Sequence, residues 1–482
     1  MFDAKSDGGS ETGDRTVEDL SRRTVLRAGG AATAATVGLG HTTRPTTAAT
    51  ATATGPTVYV GANEGDDDGA LYAVDAATGS RRWVFDEPAT PVQSGPTVVD
   101  GVVYFTDEAN TVYAVDAETG TEEWTLTELG GYNTHSPTVV GERVHVTSEN
   151  GVYAIDASTG EIKWEAATGE GFDYATPVVD GRVYANGSRL YAFDAETGEE
   201  LWTFERDTVG TAGASPTVAD GTVYLPGSET TNTLYAVDAE TGTEEWRFET
   251  DGAPDAVSPT VHNGTVYVGT IKEVAELEFE GRVHAIDIET QTEQWRYEST
   301  RTNIGSAPTV ANGQVFFGAS GLIAVGAETG DQQWRVGDPA IVRSAPTVAD
   351  GIAFVGADDA SLYAIETATG ETVWKFDEPS SYVVSSPTIV QDPKDGHSAG
   401  SRVRLRTLGH HDKSPDPMNI EIPDDPLEKY RDDGEVTDTG LLEAISDWRN
   451  GSLGDTDLLS LISEWREAGG EMSRIASQLT FN

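Results

Sequence analysis

A twelve-residue phrase returns eight times in this chain, and it limits the folds available more than any other feature. Its cleanest copy is Tyr113-Ala-Val-Asp-Ala-Glu-Thr-Gly-Thr-Glu-Glu-Trp124, and the copies end at Trp83, Trp124, Trp164, Trp202, Trp246, Trp295, Trp334 and Trp374. The intervals are 41, 40, 38, 44, 49, 39 and 40 residues. A period near forty, made of short apolar runs and turn signals, predicts a closed array of small sheets, the all-β propeller. Each copy reads as strand, tight turn, strand. Leu/Val-Tyr-Ala-Val/Ile alternates its faces, Asp-x-x-Thr-Gly turns the chain, and Trp opens the next strand. Gly supplies a position with φ > 0, while the Asp and Thr side chains can accept from backbone donors within the turn.

A second phrase, Ser-Pro-Thr-Val-x-Asp-Gly-x-Val-Tyr-Val-Gly, lies between successive Trp motifs, at Pro96, Pro137, Pro177, Pro216, Pro259, Pro308, Pro346 and Pro387. Asp100-Gly101, Asp180-Gly181, Asp220-Gly221, Asn263-Gly264, Asn312-Gly313 and Asp350-Gly351 are two-residue hairpin signals. Each blade therefore has four strands, with Pro at the head of the innermost one, where it costs no ladder bond. The chain enters on Pro56-Thr-Val-Tyr-Val-Gly61 as a second strand and leaves the repeat on Pro387-Thr-Ile-Val390 as an innermost one. Pairing the two ends gives eight blades and removes exposed sheet edges. Ser401-Arg-Val-Arg-Leu-Arg-Thr-Leu408 also reads as a strand and competes with Thr57–Val60 for that slot.

The Ala-x-Asp-x-x-Thr-Gly-x-x-x-Trp spacing resembles the tryptophan-docking motif of pyrroloquinoline-quinone (PQQ) quinoprotein propellers and their non-enzymatic relatives. Among the latter is the BamB-like lipoprotein of the bacterial outer-membrane β-barrel assembly machinery, an eight-bladed propeller. The copies ending at Trp83, Trp124, Trp164, Trp202 and Trp246 match in full. Three depart, with Gln291 in place of Gly, and Gly326 and Glu366 in place of Asp. The resemblance implies that all eight Trp dock one blade on the next. At 150–250 Å² each, such contacts contribute roughly 4–6 kcal/mol apiece as an upper bound.

Function is expected where the blades differ. The connections from one blade's outermost strand to the next blade's innermost strand line one mouth of a propeller's channel. Gln93, Tyr132, Asn133, His135, Asp173, Tyr174, Asp255, Arg301, Asn303, Arg343 and Tyr382 vary there on an otherwise monotonous scaffold, as a binding funnel or solvated loops do. The quinoprotein dehydrogenases resembled here use PQQ, Ca²⁺, a catalytic Asp and a vicinal Cys pair. This chain has no Cys and lacks long inserts, so no catalytic, cofactor or metal residue is carried over. Asp173 and Asn133 have suitable chemistry but no distinguishing spacing. His397 and His410-His411-Asp412 can ligate a transition metal, yet adjacent residues on a strand point opposite ways, and these are read as surface loop.

Charge narrows the partners. With 81 acidic against 31 basic residues the net charge is −50, and only seven basic residues are Lys (5, 163, 272, 375, 394, 413 and 429). Such a chain repels nucleic acid and anionic membranes. An acidic, Lys-poor surface spread over every repeat looks like that of an extreme halophile, where salt screens self-repulsion.

Residues 1–55 hold Ser21-Arg22-Arg23-Thr24-Val25-Leu26-Arg27, the mild apolar stretch Ala28–Gly40 and Thr/Ala-rich low complexity. This resembles a twin-arginine (Tat) export signal, with small-residue cleavage sites at Ala49-Thr-Ala51 and Ala51-Thr-Ala53. The apolar stretch is too short and polar to span a bilayer, and without Cys no lipid anchor forms at a mature N-terminus.

After a ring over 56–408 comes a Pro/Asp-rich linker, 409–434, and then a two-helix module, 435–482. Leu441-Leu-x-x-Ile445-x-x-Trp448 and Leu458-Leu-x-x-Ile462-x-x-Trp465 place their apolar residues on one helix face. Thr437 or Asp438 and Asp455 or Thr456 are candidate N-caps. The module resembles dockerin-like domains, whose helices follow Ca²⁺ loops, but Lys429, Arg431 and Gly440 stand at ligand positions of the loop. Its Leu/Trp face is expected to dock a partner or to close on itself as a helical hairpin.

The whole reads as an exported, non-enzymatic eight-bladed scaffold binding a protein or other ligand at or outside the cell surface. A PQQ- and Ca²⁺-dependent dehydrogenase and an extracellular polysaccharide-binding protein are the alternatives.

Overall fold

The computed structural model describes most of residues 55–391, leaving out 66–67, 128, 130, 132–134, 170, 173, 207–213, 228–230, 255–256, 276–277 and 300–302. In the tail it describes residues 420, 431–432, 435–437, 440–441, 444–445, 461–462 and 465. The chain divides into two units, and residues 1–52, with the arginine-pair segment, form the first and lie outside the described residues.

Eight antiparallel sheets of the second unit are the blades of a propeller, and a ninth, in the tail, pairs only Arg431–Asp432 with Glu435–Val436. Blade 2 shows the plan. Its innermost strand Thr97–Val99 turns at Asp100-Gly101 into Val102–Thr106, then come Val112–Asp116 and the outermost strand Glu122–Leu126. The hairpin turn has both central residues at positive φ, Asp100 at 50° and Gly101 at 84°, the geometry that matches strand twist. Asp180, Asp220, Asn263, Asn312 and Asp350 lie at 45–52° in the same place. Short polar side chains tolerate that conformation best.

Blade 1 closes the ring. Thr57–Glu64 pairs on one side with Asp68–Asp75 and on the other with Thr388–Val390, in the register Thr57↔Val390, Val58↔Ile389, Tyr59↔Thr388. The N-terminal strand therefore holds the contested slot, and residues 401–408 lie outside the described residues. In blade 7 the second and third strands merge into one run, Gln314–Gly326, bent at Gly321 with φ +91°.

The blades meet through one repeated joint. Each of the eight Trp sits 5.7–6.0 Å, ring to ring, from an aromatic residue of its own blade's second strand: Tyr59, Tyr104, His145, Tyr184, Tyr224, Tyr267, Phe316 or Phe354. Across the gap the indole of every one but Trp246 lies on the turn glycine of the next blade, Trp83 on Gly120 and so on round to Trp374 on Gly79. Indole Nε1–H donates to a carbonyl beside that turn: Trp83 to Ala117 at 3.0 Å, Trp124 to Ala157 at 2.9 Å, Trp374 to Ala76 at 3.0 Å. Tyr59 and Tyr104 donate their hydroxyls to the same Ala117 and Ala157 carbonyls. The turn itself is held by its aspartate. Asp75 Oδ1 accepts from the N–H of Ala77 and Thr78 and from Thr78 Oγ1 at 2.9–3.0 Å. In the turn of the blade after Trp246, Gln291 takes the glycine's place at φ +57°.

A second ring of bonds runs round the inner strands. Thr97, Thr217, Thr260, Thr309 and Thr388 donate Oγ1–H to the carbonyls of Pro137, Pro259, Pro308, Pro346 and Pro96 in the next blade at 2.5–2.7 Å. Thr347 does the same to Pro387. The ring breaks at blade 4. Two residues separate Pro177 from Asp180, where three separate Pro96 from Asp100, so that innermost strand is only Val178–Val179 and has no Thr. Thr138, facing it from blade 3, is buried with Oγ1 unpartnered.

Few tail residues are described. Leu441 N–H donates to the Thr437 carbonyl at 2.9 Å and Gly440 N–H to Thr437 Oγ1 at 3.1 Å. Leu441, Ala444, Leu461 and Trp465 are helical and buried in one cluster with Val436. Trp448, Leu458 and most of both expected helices lie outside the described residues, as do the His397 and His410-His411 cluster and the calcium-loop position Lys429.

A Cβ on Gly242 would lie 2.5 Å from Trp202 Cε3 in a turn at φ +70°, whereas one on Gly221, at φ +82°, meets nothing within 4 Å. Gly242→Ala is expected to destabilise by about 2–4 kcal/mol and Gly221→Ala by only about 1–2 kcal/mol, read from denaturant midpoints. His145 takes a tyrosine's place and is buried, which pushes its pKa down to about 4. Folding then excludes a proton that the unfolded chain binds near pH 6.5, so stability is full above that value and falls as pH drops from 6.5 to 4. His145→Tyr should remove about 3 kcal/mol of that loss, seen as the wild type losing that much stability relative to the variant between pH 7 and 4, whichever is the more stable at pH 7.

Candidate functional site

The strand order puts the connections between blades and the turns between second and third strands at one face of each blade, the loop face. Hairpin turns such as Asp100-Gly101 and the Asp-x-x-Thr-Gly turns lie at the opposite, turn face. Of the eleven funnel candidates, Gln93, His135, Tyr174, Asn303, Arg343 and Tyr382 are described, while Tyr132, Asn133, Asp173, Asp255 and Arg301 lie outside the described residues.

The serines beside the candidates are structural pins. Ser94 Oγ donates to the Thr106 carbonyl and accepts from Thr106 N–H, at 2.8 and 2.9 Å. Ser344 makes the same exchange with Gly356. These bonds lock each connection onto its own blade, so the neighbouring side chains are presented from a fixed backbone.

What those side chains touch differs by blade. Gln93 bonds Glu108, and Arg343 Nε faces both carboxylate oxygens of Asp358 at 3.1 and 3.3 Å. In both blades a residue three before the proline reaches the turn fifteen residues on. His135 and Tyr174 meet across blades 3 and 4, with ring centroids 4.8 Å apart and planes tilted by 42°. Their backbones are held alike, Thr106 Oγ1 donating to the His135 carbonyl and Thr147 Oγ1 to that of Tyr174, each at 3.0 Å. Tyr382 holds position through its carbonyl, which accepts from Asn63 N–H at 2.9 Å, and leaves 52 % of its surface exposed. Asn303 is exposed.

Sequence reasoning missed the apolar part of this face. Six large hydrophobic residues are exposed among those described: Ile162, Leu201, Val274, Phe279, Ile341 and Tyr382. Ile162 and Leu201 are on outermost strands, but the other four lie at loop-face ends. Val274 and Phe279 ride on a long hairpin of blade 6, Thr265–Ala275 with Glu278–Asp287. The signal was present as the 49-residue interval between Trp246 and Trp295, against about forty elsewhere.

Among the described residues no three His, Cys, Asp or Glu side chains converge as metal ligands. The two side chains with the oxygen chemistry a PQQ–calcium centre requires, Asn133 and Asp173, are not described. Exposed apolar surface, an aromatic pair and tethered polar groups on a rigid rim are suited to binding.

A family model and one solved structure agree with the propeller architecture. A family model described as outer membrane protein assembly factor BamB matches residues 67–179, 152–279 and 279–400. No curated protein matches the sequence. Among solved structures, the computationally designed Ika8 protein aligns with a TM-score of 0.52 at 17% identity, covering 61% of this chain and 90% of its own. BamB from Moraxella catarrhalis aligns at 0.48 and 18% identity, covering 64% and 93%. A quinohemoprotein alcohol dehydrogenase, ADHIIG from Pseudomonas putida HK5, aligns at 0.45 and 18%, covering 63% and 71%.

If the His135–Tyr174 contact orders the rim, a double-mutant cycle with His135→Ala and Tyr174→Ala should give a coupling of about 0.5–1.5 kcal/mol in unfolding free energy. A coupling near zero would show that the rings do not hold each other.

Proposed function

The chain belongs to the family of the outer membrane protein assembly factor BamB, and from that membership we propose that it is an exported scaffold whose loop face binds another protein. The observation that carries this reading is the placement of exposed apolar surface. Of the six large hydrophobic side chains exposed among the described residues, four lie on the loop face of a chain with a net charge of −50. Apolar groups rimmed by polar ones mark interaction surfaces, and aromatic side chains are enriched at their centres. The family's description as an assembly factor agrees with a protein partner.

Export rests on the Arg22-Arg23 segment with its Ala/Thr-rich flank. No helix of the described residues is long and apolar enough to cross a membrane. The acidic, Lys-poor surface fits a salty milieu, in which long-range repulsion is screened. The two-helix module after the ring is proposed as a further docking element, with Leu441 and Trp465 in its core.

The test uses a photo-crosslinking amino acid placed at Tyr382 or at Leu201 in the full chain, expressed in its own host. Adducts with one discrete protein are expected from position 382 and at most a tenth as many from 201. Equal labelling at both would remove the loop face as the binding surface. Arg22→Lys with Arg23→Lys should leave the chain inside the cell.

A further inference from the structure

The turn face already holds a piece of polypeptide at one place. Ile420, from the segment after the ring, is buried in the cluster that contains Ala349, Ile352 and Ala76. Its N–H donates to Asp350 Oδ2 at 2.8 Å. The seat lies where the hairpin turn of blade 8 meets the Asp-x-x-Thr-Gly turn of blade 1. An aliphatic side chain enters between the turns and the turn aspartate accepts its backbone N–H.

The repeat builds that seat again halfway round the ring. Ala349 pairs with Ile352 across the blade 8 hairpin as Val179 pairs with Arg182 across that of blade 4. Asp180 therefore stands where Asp350 does, and its φ of 48° matches 45°. Ala239 of blade 5 stands where Ala76 does, accepting from Trp202 as Ala76 accepts from Trp374. Here the residues border a groove of about 480 Å³, floored by Val140, Val178, Val179 and Val218. One junction earlier, Arg143 crosses from its blade to Glu196 in the next.

The two seats differ in charge. Ile352 and Ala77 flank the occupied one, whereas Arg182 and Glu240 take their places at the groove, with Asp220 and Asp238 beside them. Four carboxylates and one guanidinium line the groove; Asp180 and Asp238 repeat Asp350 and Asp75 of the occupied seat, so the added charges are Asp220, Glu240 and Arg182. We propose that this groove docks an extended segment of a partner protein in which an aliphatic residue is flanked by lysine or arginine. The aliphatic side chain enters over the valines, its N–H donates to Asp180, and the basic neighbours meet Asp220, Asp238 and Glu240. Electrostatic complementarity of that kind selects partners and speeds encounter more than it adds affinity. This surface is on the opposite face from the loops and does not depend on what the loop face binds.

The probe is a fluorescein-labelled octapeptide, Lys-Arg-Asn-Ile-Lys-Ile-Pro-Lys, titrated with the full chain and followed by fluorescence anisotropy. Saturable one-to-one binding is expected, weakened at least fivefold by Asp180→Gly and at least tenfold by Val179→Phe, which fills the groove. Asp180→Gly preserves the fold, since Gly141 occupies the corresponding turn position in blade 3 at φ 59°. It decides the matter alone if Val179→Phe does not fold. Asp100→Gly, at the blade 2 turn, should change nothing, and neither should Tyr382→Ser on the loop face. Absence of saturable binding overturns the proposal, as does affinity unchanged by Asp180→Gly. Equal binding of a peptide with both isoleucines changed to serine would mean general attraction to an acidic chain. Equal binding of the acidic sequence of residues 418–425 would make the occupant a second copy's tail. Either result also overturns it.

Discussion

An indole lying on a glycine Cα holds this molecule in a ring. In seven of the eight joints the contact uses a residue without a side chain, because a Cβ at the turn would sit 2.5–2.9 Å from the Trp ring carbons, and that residue lies at φ near +70 to +80°; at the eighth, Gln291 takes the place at +57°. The same turn puts a backbone carbonyl within reach of the indole N–H, so one local motif supplies both a flat surface and a hydrogen-bond acceptor. Because each joint lies between neighbours, no long-range instruction is needed to order the blades. Closure differs from the other joints only in that Trp374 and Gly79 come from opposite ends of the ring.

A ring joined in this way leaves its charge free to vary. Among the described residues, carboxylates are accommodated because many accept hydrogen bonds locally, as the turn aspartates do, and because scarce basic residues pair with them. Asp251 of blade 6 alone is within 3.0 Å of Lys272, Arg282 and Arg296. Arg282 is nearly buried and also faces Glu280 and Glu298. Such pairs offset repulsion rather than supply the fold's stability, which is apolar and resides between the sheets.

Most of the fold was legible because its signals are short. Blade number follows from counting Trp, hairpins from Asp-Gly and Asn-Gly pairs, and closure from an innermost strand left without successors at Pro387. The contested slot in blade 1 was not legible, since Thr57–Val60 and 401–408 are both credible strands and only pairing with Thr388–Val390 decides. The missing residue before Asp180 was visible as a spacing, but its consequence, an unpartnered Thr138, belongs to the neighbouring blade and required the joint's geometry. The candidate loop residues fared unevenly for a related reason. Gln93 and Arg343 read as variable and polar, yet each is tied to a carboxylate fifteen residues on, a contact that no local pattern announces.

The two faces of the ring follow from one strand order but obey different rules. Loop-face connections can lengthen without disturbing a joint, as the blade 6 hairpin has, so that face acquires variety by insertion. Turn-face residues cannot, because hairpin and Asp-x-x-Thr-Gly turns set the blade's register and carry the carbonyls on which Trp docks. Variety there is limited to exchanging side chains in place, Ile352 for Arg182 or Ala77 for Glu240, around seats of constant shape. A closed repeat thus offers seven near-copies of one small seat, since blade 1 is built from both ends of the ring and has no hairpin turn there, and the tail's use of one at Asp350 shows what such a seat accepts. Where the same backbone carries different charges, the difference lies in which polypeptide it accepts and leaves unchanged how that polypeptide is held.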